Sequence, residues 1–326
     1  MGVEILSLAA LVSAFLTALN VGANNSAAEM GPAYGCGART RRQAVVLIAV
    51  FTVLGAILAG DRVVHTLGKG LVGEGTLQGN LGAVVIVLLA AAALVGLANL
   101  LRVPVPTSHI MVGAVSGLGL YFGTLNWYRL GSILIWWLAT PLVALIAAYL
   151  ARRYLYYPIL SLLSRLRSER RARAVIQILI TISGCCMAFS AGSNSLAKAI
   201  GPAVGAGVFS QRDGAIIGGL AMALGALLLG GRIMETVGKR ITHLCGVAAI
   251  MVEIICASIV FSASHFGVPV SLAEIVTSSV VGFSLASDGL RATFHNPNVR
   301  RIYTLWPICP ASCAALVFVL AILLHA

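Results

Sequence analysis

The sequence predicts an all-α polytopic membrane protein. Its chain is expected to divide into two inverted-topology repeats of about five hydrophobic segments each, with broken or re-entrant helices. Three observations carry this reading: a composition too apolar for water, long hydrophobic runs at regular spacing, and polar motifs that recur near a fixed offset. Of the 326 residues, 59% are hydrophobic and 10% are charged, with a mean hydropathy of +0.98. A soluble domain carries about 25% charged residues.

Apolar runs fall at 4–21, 43–60, 80–101, 104–123, 130–151, 174–191, 214–231, 242–264, 269–287 and 303–325. Each approaches the ~20 residues needed to cross a hydrocarbon core as a helix. The first run lacks a basic leader and a small-residue cleavage pattern, so it reads as a retained helix and not a signal peptide. Between the fifth and sixth runs lies RRYLYYPILSLLSRLRSERRAR, with Arg152, Arg153, Arg165, Arg167, Arg170, Arg171 and Arg173 against Glu169. Such a cluster belongs on the cytoplasmic side. The expected organisation is therefore a first transmembrane repeat over 1–151, a basic cytoplasmic linker over 152–173 and a second repeat over 174–326. The net charge of +12 reads as topology and not as a nucleic-acid surface. The expected location is the cell inner (cytoplasmic) membrane, as a multi-pass protein in contact with lipid.

The halves share motifs in the same order. GANNSAAEMGP at 22–32 aligns with GSNSLAKAIGP at 192–202, an offset of 170. GDRVVHTLGKG at 60–70 aligns with GGRIMETVGKR at 230–240, and VPVPTSH at 103–109 with VPVSLAE at 268–274, offset 165. Trp136, Trp137 and Pro141 then answer to Trp306 and Pro307. An odd number of crossings per half makes the repeats inverted, with a substrate site where they meet near the midplane.

The paired cassettes are expected to interrupt their helices at membrane depth. Freed backbone N–H groups and a positive helix end suit an anion. Asn24, Asn25, Ser193, Asn194 and Ser195 add neutral donors and acceptors. PVPTSH and PVSLAE each begin with extended backbone before proline and lead into a new helix. That places Thr107, Ser108 and Ser271 near helix starts, where hydroxyls cap the helix or hold oxyanion oxygens. Ionisable residues inside a membrane are functional candidates. Lys198 favours a dianion, or else snorkels to an interface or pairs with Glu29. A buried carboxyl can carry a proton with the substrate, so Glu29 and Glu253 are coupling candidates. His109 is a third, since imidazole titrates near neutral pH, or else it supplies a hydrogen bond behind the site. HTLGKG and ETVGKR read as helix stops with a cation at the negative end.

No catalytic arrangement is present: there is no phosphate-binding loop, no G-x-S-x-G elbow and no H-E-x-x-H pair. The chain is expected not to be an enzyme, and no cofactor or metal is implied. The seven cysteines lack zinc spacing and lie mostly in apolar runs, so no disulfide, metal or redox role is inferred.

With these motifs in place, the chain resembles the inorganic phosphate transporter (PiT) family, which includes phosphate carriers and CysP-type sulfate permeases, and it is most like the latter. The family signatures read approximately G-A-N-D-V-A-N-A and G-S-N-D-V-A-N-A. Here GANNSAAE and GSNSLAKA stand in their places, beside TVGKRI at 236–241 and PVPTSH at 104–109. The resemblance covers nearly the whole chain. It implies that the signature aspartates help bind sodium and substrate in phosphate carriers. Those positions are Asn25 and Ser195 here, and Lys198 stands where the family has asparagine. In the second half, Leu272, Ala273 and Glu274 depart from the T-S-H pattern.

The departures bear on substrate. Phosphate near neutral pH keeps a P–O–H proton that a carboxylate can accept, whereas sulfate has none to donate. A carboxylate facing sulfate sets acceptor against acceptor and charge against like charge. The sequence thus predicts a secondary active transporter importing sulfate by proton symport, with protons favoured over sodium as the coupling ion. Phosphate or thiosulfate as substrate, a phosphate transporter of the same family, a passive anion channel and assembly as a homodimer stay open at this point.

Overall fold

A computed structural model describes residues 2–73, 75–101, 105–166, 168–234, 246–294 and 297–324. Its helices are α1 Gly2–Gly35, α2 Arg41–Ala59, α3 Asp61–His65, α4 Leu81–Leu100, α5 Thr107–Tyr121, α6 Trp127–Leu150, α7 Tyr156–Ser164, α8 Glu169–Gly205, α9 Gln211–Gly225, α10 Val247–His265, α11 Leu272–Phe294 and α12 Pro297–Leu323. π-Helical turns at Thr66–Gly70, Ala151–Leu155 and Ala226–Gly230 extend α3, α6 and α9. Every expected apolar run contributes to a helix. Seven helical spans among the described residues are long and apolar enough to cross a membrane, and Leu272–Ser287 and Ile308–Leu323 are shorter apolar helices. The surface suits lipid: Leu138 is 77% exposed, whereas Lys198 is fully buried. The protein is all-α and multi-pass.

The cassettes depart from expectation. Both lie inside unbroken helices: 22–32 within α1, and 192–202 within α8. At 34 residues, α1 is about 51 Å long, more than a ~30 Å hydrocarbon core requires. Helical backbone satisfies its own polar groups, so a string of Gly, Ala, Ser and Asn forces no break once its side chains find partners. Pro32 and Pro202 sit near the C-terminal ends of these helices, where little ladder remains to disturb.

The irregular backbone lies instead before α5 and α11. Val105 and Pro106, and residues 268–271, are non-helical and buried or nearly so. They lead into Thr107 and Leu272 as the proline positions predict; Pro104 lies outside the described residues. HTLGKG also differs from its reading as a stop. α2 ends at Gly60, and 61–70 form a further helical piece. TVGKRI lies outside the described residues. Most of 152–173 is helical: a π turn and α7 continue α6, and α8 starts at Glu169. There the Arg152 guanidinium lies 4.2 Å from the centre of the Tyr156 ring. Cys36, expected to be free, is disulfide-bonded; cysteine spacing along the chain carries no record of which thiols the fold brings together.

Packing in one half of the chain recurs in the other. α1 lies against α8, α2 packs on α8 as α9 packs on α1, and α4 packs on α1 as α10 packs on α8. α5 lies against α12 as α11 lies against α6. The closest approaches match residue for residue. A Cβ on Gly22 would fall 2.0 Å from the Met222 carbonyl oxygen, and one on Gly192 would fall 2.2 Å from that of Thr52, with both partners 170 residues apart. Only glycine permits helices this close. α1 and α8 therefore form the centre of the bundle and bring the cassettes face to face.

Candidate functional site

The cassettes meet at Asn25 and Ser195. The Asn25 amide donates to the Ser195 hydroxyl at 2.8 Å, and Lys198 Nζ donates to the same oxygen at 3.2 Å. Both residues are buried, at 4% and 0% exposure. Three residues separate Ser195 from Lys198, so they share a face of α8. The Lys198 ammonium also donates to the Val270 carbonyl at 3.2 Å. Ser108, in the first turn of α5, donates to that carbonyl too. One backbone oxygen of the irregular 268–271 segment thus joins α5 to α8.

That segment is held by side chains throughout. Asn194 donates to the Val268 carbonyl at 2.9 Å and accepts from the Val270 N–H at 3.0 Å. The Trp137 indole donates to the Pro269 carbonyl at 2.8 Å. Non-helical backbone at membrane depth is tolerated when protein groups satisfy it, and here they do. Ser271 accepts from the Glu274 N–H at 3.4 Å, an ordinary cap of α11.

The expected binding residues therefore divide. Asn25, Ser195, Lys198 and Ser108 converge on one point, with Thr107 buried beside Ser108. Asn194 is committed to the 268–270 backbone. Ser193 donates to Ser190 O at 2.8 Å and to the Ser264 hydroxyl at 3.0 Å. Asn24 donates to Asn99 Oδ1 at 2.9 Å. Asn24 and Asn194 are equivalent at offset 170, and their partners Asn99 and Ser264 are equivalent at 165. Asn24, Ser193 and Asn194 each donate hydrogen bonds to side chains or backbone of other segments.

The coupling candidates divide as well. Glu29 is 1% exposed and its carboxylate oxygens have no hydrogen-bond partner of good geometry. The Thr52 hydroxyl and the Lys198 ammonium are its polar neighbours. Glu253 is elsewhere: it accepts from Ser183, twelve residues before Ser195 on α8, which is about 18 Å along the axis. His109 reaches a carboxylate that sequence reasoning noted only as a departure from pattern. Its Nε2 lies 3.1 Å from Glu274 Oε1, an approach bent away from a linear hydrogen bond. Its Nδ1 is 3.1 Å from the Trp306 carbonyl. Its ring stacks on Trp137 at 3.6 Å. His109 and Glu274 are equivalent at offset 165, so the repeat alignment was the signal for this pair. Among the described residues, no group of His, Cys, Asp and Glu is arranged to hold a metal ion.

Known proteins resemble the chain over most of its length. Residues 21–317 match the Phosphate transporter family. Sulfate permease CysP of Bacillus subtilis (strain 168) is 37% identical over 307 residues, covering 94% of this chain and 84% of the relative. The chloroplastic Inorganic phosphate transporter 2-1 of Arabidopsis thaliana is 26% identical over 411 residues, covering 93% of this chain and 69% of the relative. Among solved structures, one titled "The sodium-dependent phosphate transporter" superposes with a TM-score of 0.80 at 23% identity, covering 98% of this chain and 99% of that one. The family match runs through both cassettes and both short-helix starts, and so the chain belongs to the phosphate transporter family and is a multi-pass membrane transporter.

Proposed function

We propose that this transporter imports sulfate by secondary active transport, with protons as the coupling ion. The observation that carries the proposal is the contact of Asn25 with Ser195, capped by Lys198. These two positions are where the resemblance places the aspartates of phosphate carriers. Two carboxylates at hydrogen-bonding distance repel strongly and call for a bound cation or a shared proton. An amide, a hydroxyl and an ammonium need neither, and all three donate hydrogen bonds. Sulfate has four acceptor oxygens and no proton, so a set of donors with a resident cation fits it.

The substrate is held by Asn25, Ser195, Lys198, Ser108 and Thr107, with Ser271 at the start of α11 and Asn24, Ser193 and Asn194 as supports. The surrounding burial is that of an occluded state. Two inverted repeats, 1–151 and 174–326, alternate access around this centre; the recurrence of helix contacts at offset 170 supports that division. Protons supply the drive because a dianion entering a negative-inside cell works against about 2.3 kcal/mol per charge per 100 mV. The relative named a sulfate permease supports the same substrate.

The names of the other relatives favour phosphate as the second reading. Uptake of radiolabelled sulfate into proteoliposomes, competed with sulfate, phosphate, thiosulfate and molybdate, separates the two. Sulfate uptake blocked by sulfate and thiosulfate but not by phosphate is expected.

A further inference from the structure

Four ionisable side chains are sealed around the cassette contact: Glu29, Lys198, Glu274 and His109, none more than 4% exposed. They form a row. His109 Nε2 faces Glu274 Oε1 at 3.1 Å. Glu274 and Glu29 are the carboxylates that act on Lys198 through space, and Thr52 lies beside Glu29. Among the described residues, the other titratable neighbour of Glu274 is the Cys309 thiol of α12. Two acids and two bases sum to zero when all are ionised.

The hydrogen-bond directions show where one proton sits. A carbonyl oxygen only accepts, so the 3.1 Å contact of His109 Nδ1 with Trp306 O puts a hydrogen on Nδ1. In the neutral ring, Nε2 would then be a bare lone pair. A lone pair facing a carboxylate oxygen at 3.1 Å is repulsive, so a proton belongs on Nε2 or on Oε1. With the proton on either atom, the pair carries no net charge.

Sulfate brings two negative charges into this balanced set, and an uncompensated dianion in a buried site is costly. Two protons restore the balance, and two carboxylates are present to take them. Their protonation also removes the negative charges that act on Lys198, whose ammonium, donating to Ser195 and the Val270 carbonyl, then faces the anion.

We propose that Glu29 and Glu274 are the two proton carriers of the transport cycle, so that each sulfate enters with two protons and no net charge. The carboxylates stand in for the substrate's charges when it is absent. Outside, each takes one proton as sulfate binds; inside, sulfate and both protons leave and the carboxylates regain their charge. This rests on the sulfate and proton reading above.

The test uses the full chain in proteoliposomes, with the membrane potential clamped by potassium and valinomycin and a pH difference imposed separately. The equilibrium sulfate gradient is read. Two protons with no net charge give about 100-fold accumulation per pH unit, unchanged when the inside is made negative. E29Q and E274Q each remove one carrier. In either variant the gradient falls to about tenfold per pH unit and shrinks when the inside is negative. A wild-type gradient of about tenfold, or one that changes with potential, overturns the proposal while leaving proton-driven sulfate import intact. So does an E274Q protein that keeps the wild-type gradient. Absence of proton-driven sulfate accumulation in the wild type removes the underlying reading, and this inference with it. The wild-type measurement decides the stoichiometry even where a variant fails to fold.

Discussion

The Asn25 amide and the Ser195 hydroxyl, 170 residues apart in sequence, share a buried hydrogen bond of 2.8 Å at the crossing of α1 and α8. Each residue stands where the resemblance places an aspartate of the phosphate carriers. The contact joins the two halves of the chain through neutral groups. Lys198, on the next turn of α8, donates to the same hydroxyl.

Restoring either acid reverses this chemistry. In S195D the new carboxylate lies within reach of the Lys198 ammonium and captures it, and in N25D it faces the anion directly. A donor is lost and a like charge gained, worth roughly 2 kcal/mol or more. Sulfate affinity measured by calorimetry on the purified protein is expected to drop at least about 30-fold. Unchanged affinity in both variants places the anion elsewhere.

Lys198→Gln removes the cation next to Glu29 and Glu274. Breaking a buried charge set costs about 3 kcal/mol or more, so two effects are expected together. Sulfate uptake falls below about a hundredth of wild type, and the thermal unfolding midpoint in detergent drops. Lys198→Arg keeps the charge but not the compact shape; it is expected to recover stability more than uptake.

The close helix crossings predict a stability effect remote from the anion centre. A Cβ at Gly55 or Gly225 would fall 1.9 Å from the carbonyl oxygen of Phe189 or Leu19. Gly55→Ala and Gly225→Ala each force their helices apart, at a cost of about 1–3 kcal/mol. Thermal unfolding monitored by tryptophan fluorescence should show similar losses for both, since the positions are equivalent at offset 170.

Glu253 is buried with Ser183 and does not share in the cassette centre. Glu253→Gln keeps the shape and a hydrogen-bonding partner for Ser183. Its initial rate of sulfate uptake is expected to stay within about twofold of wild type, whereas E29Q changes the response to potential. A strong, proton-linked defect in E253Q would move the coupling site along α8.

Much of the architecture was legible because it follows from periodicity and composition. Every apolar run is part of a helix, and the offsets that align the cassettes also align the helix contacts of Gly22 and Gly192 with Met222 and Thr52. The state of the cassettes was not legible. Gly, Ser and Asn favour a break only where their groups lack partners, and partners such as Asn99 and Ser264 come from helices far along the chain. The true openings lie before Thr107 and Leu272, which the prolines did signal. Glu274 was visible as a departure from pattern, but its meaning comes from His109, its equivalent in the other half. Local sequence reports which residues are unusual; the pairing across the two halves decides what they do.

The most direct test of the central claim is initial uptake of labelled sulfate and labelled phosphate by the same proteoliposomes in sodium-free buffer with the outside acidified. Neutral residues at positions 25 and 195 with a resident ammonium predict sulfate uptake that needs no sodium, collapses with a protonophore and is untouched by excess phosphate. Phosphate uptake that requires sodium and is undiminished by excess sulfate would contradict it.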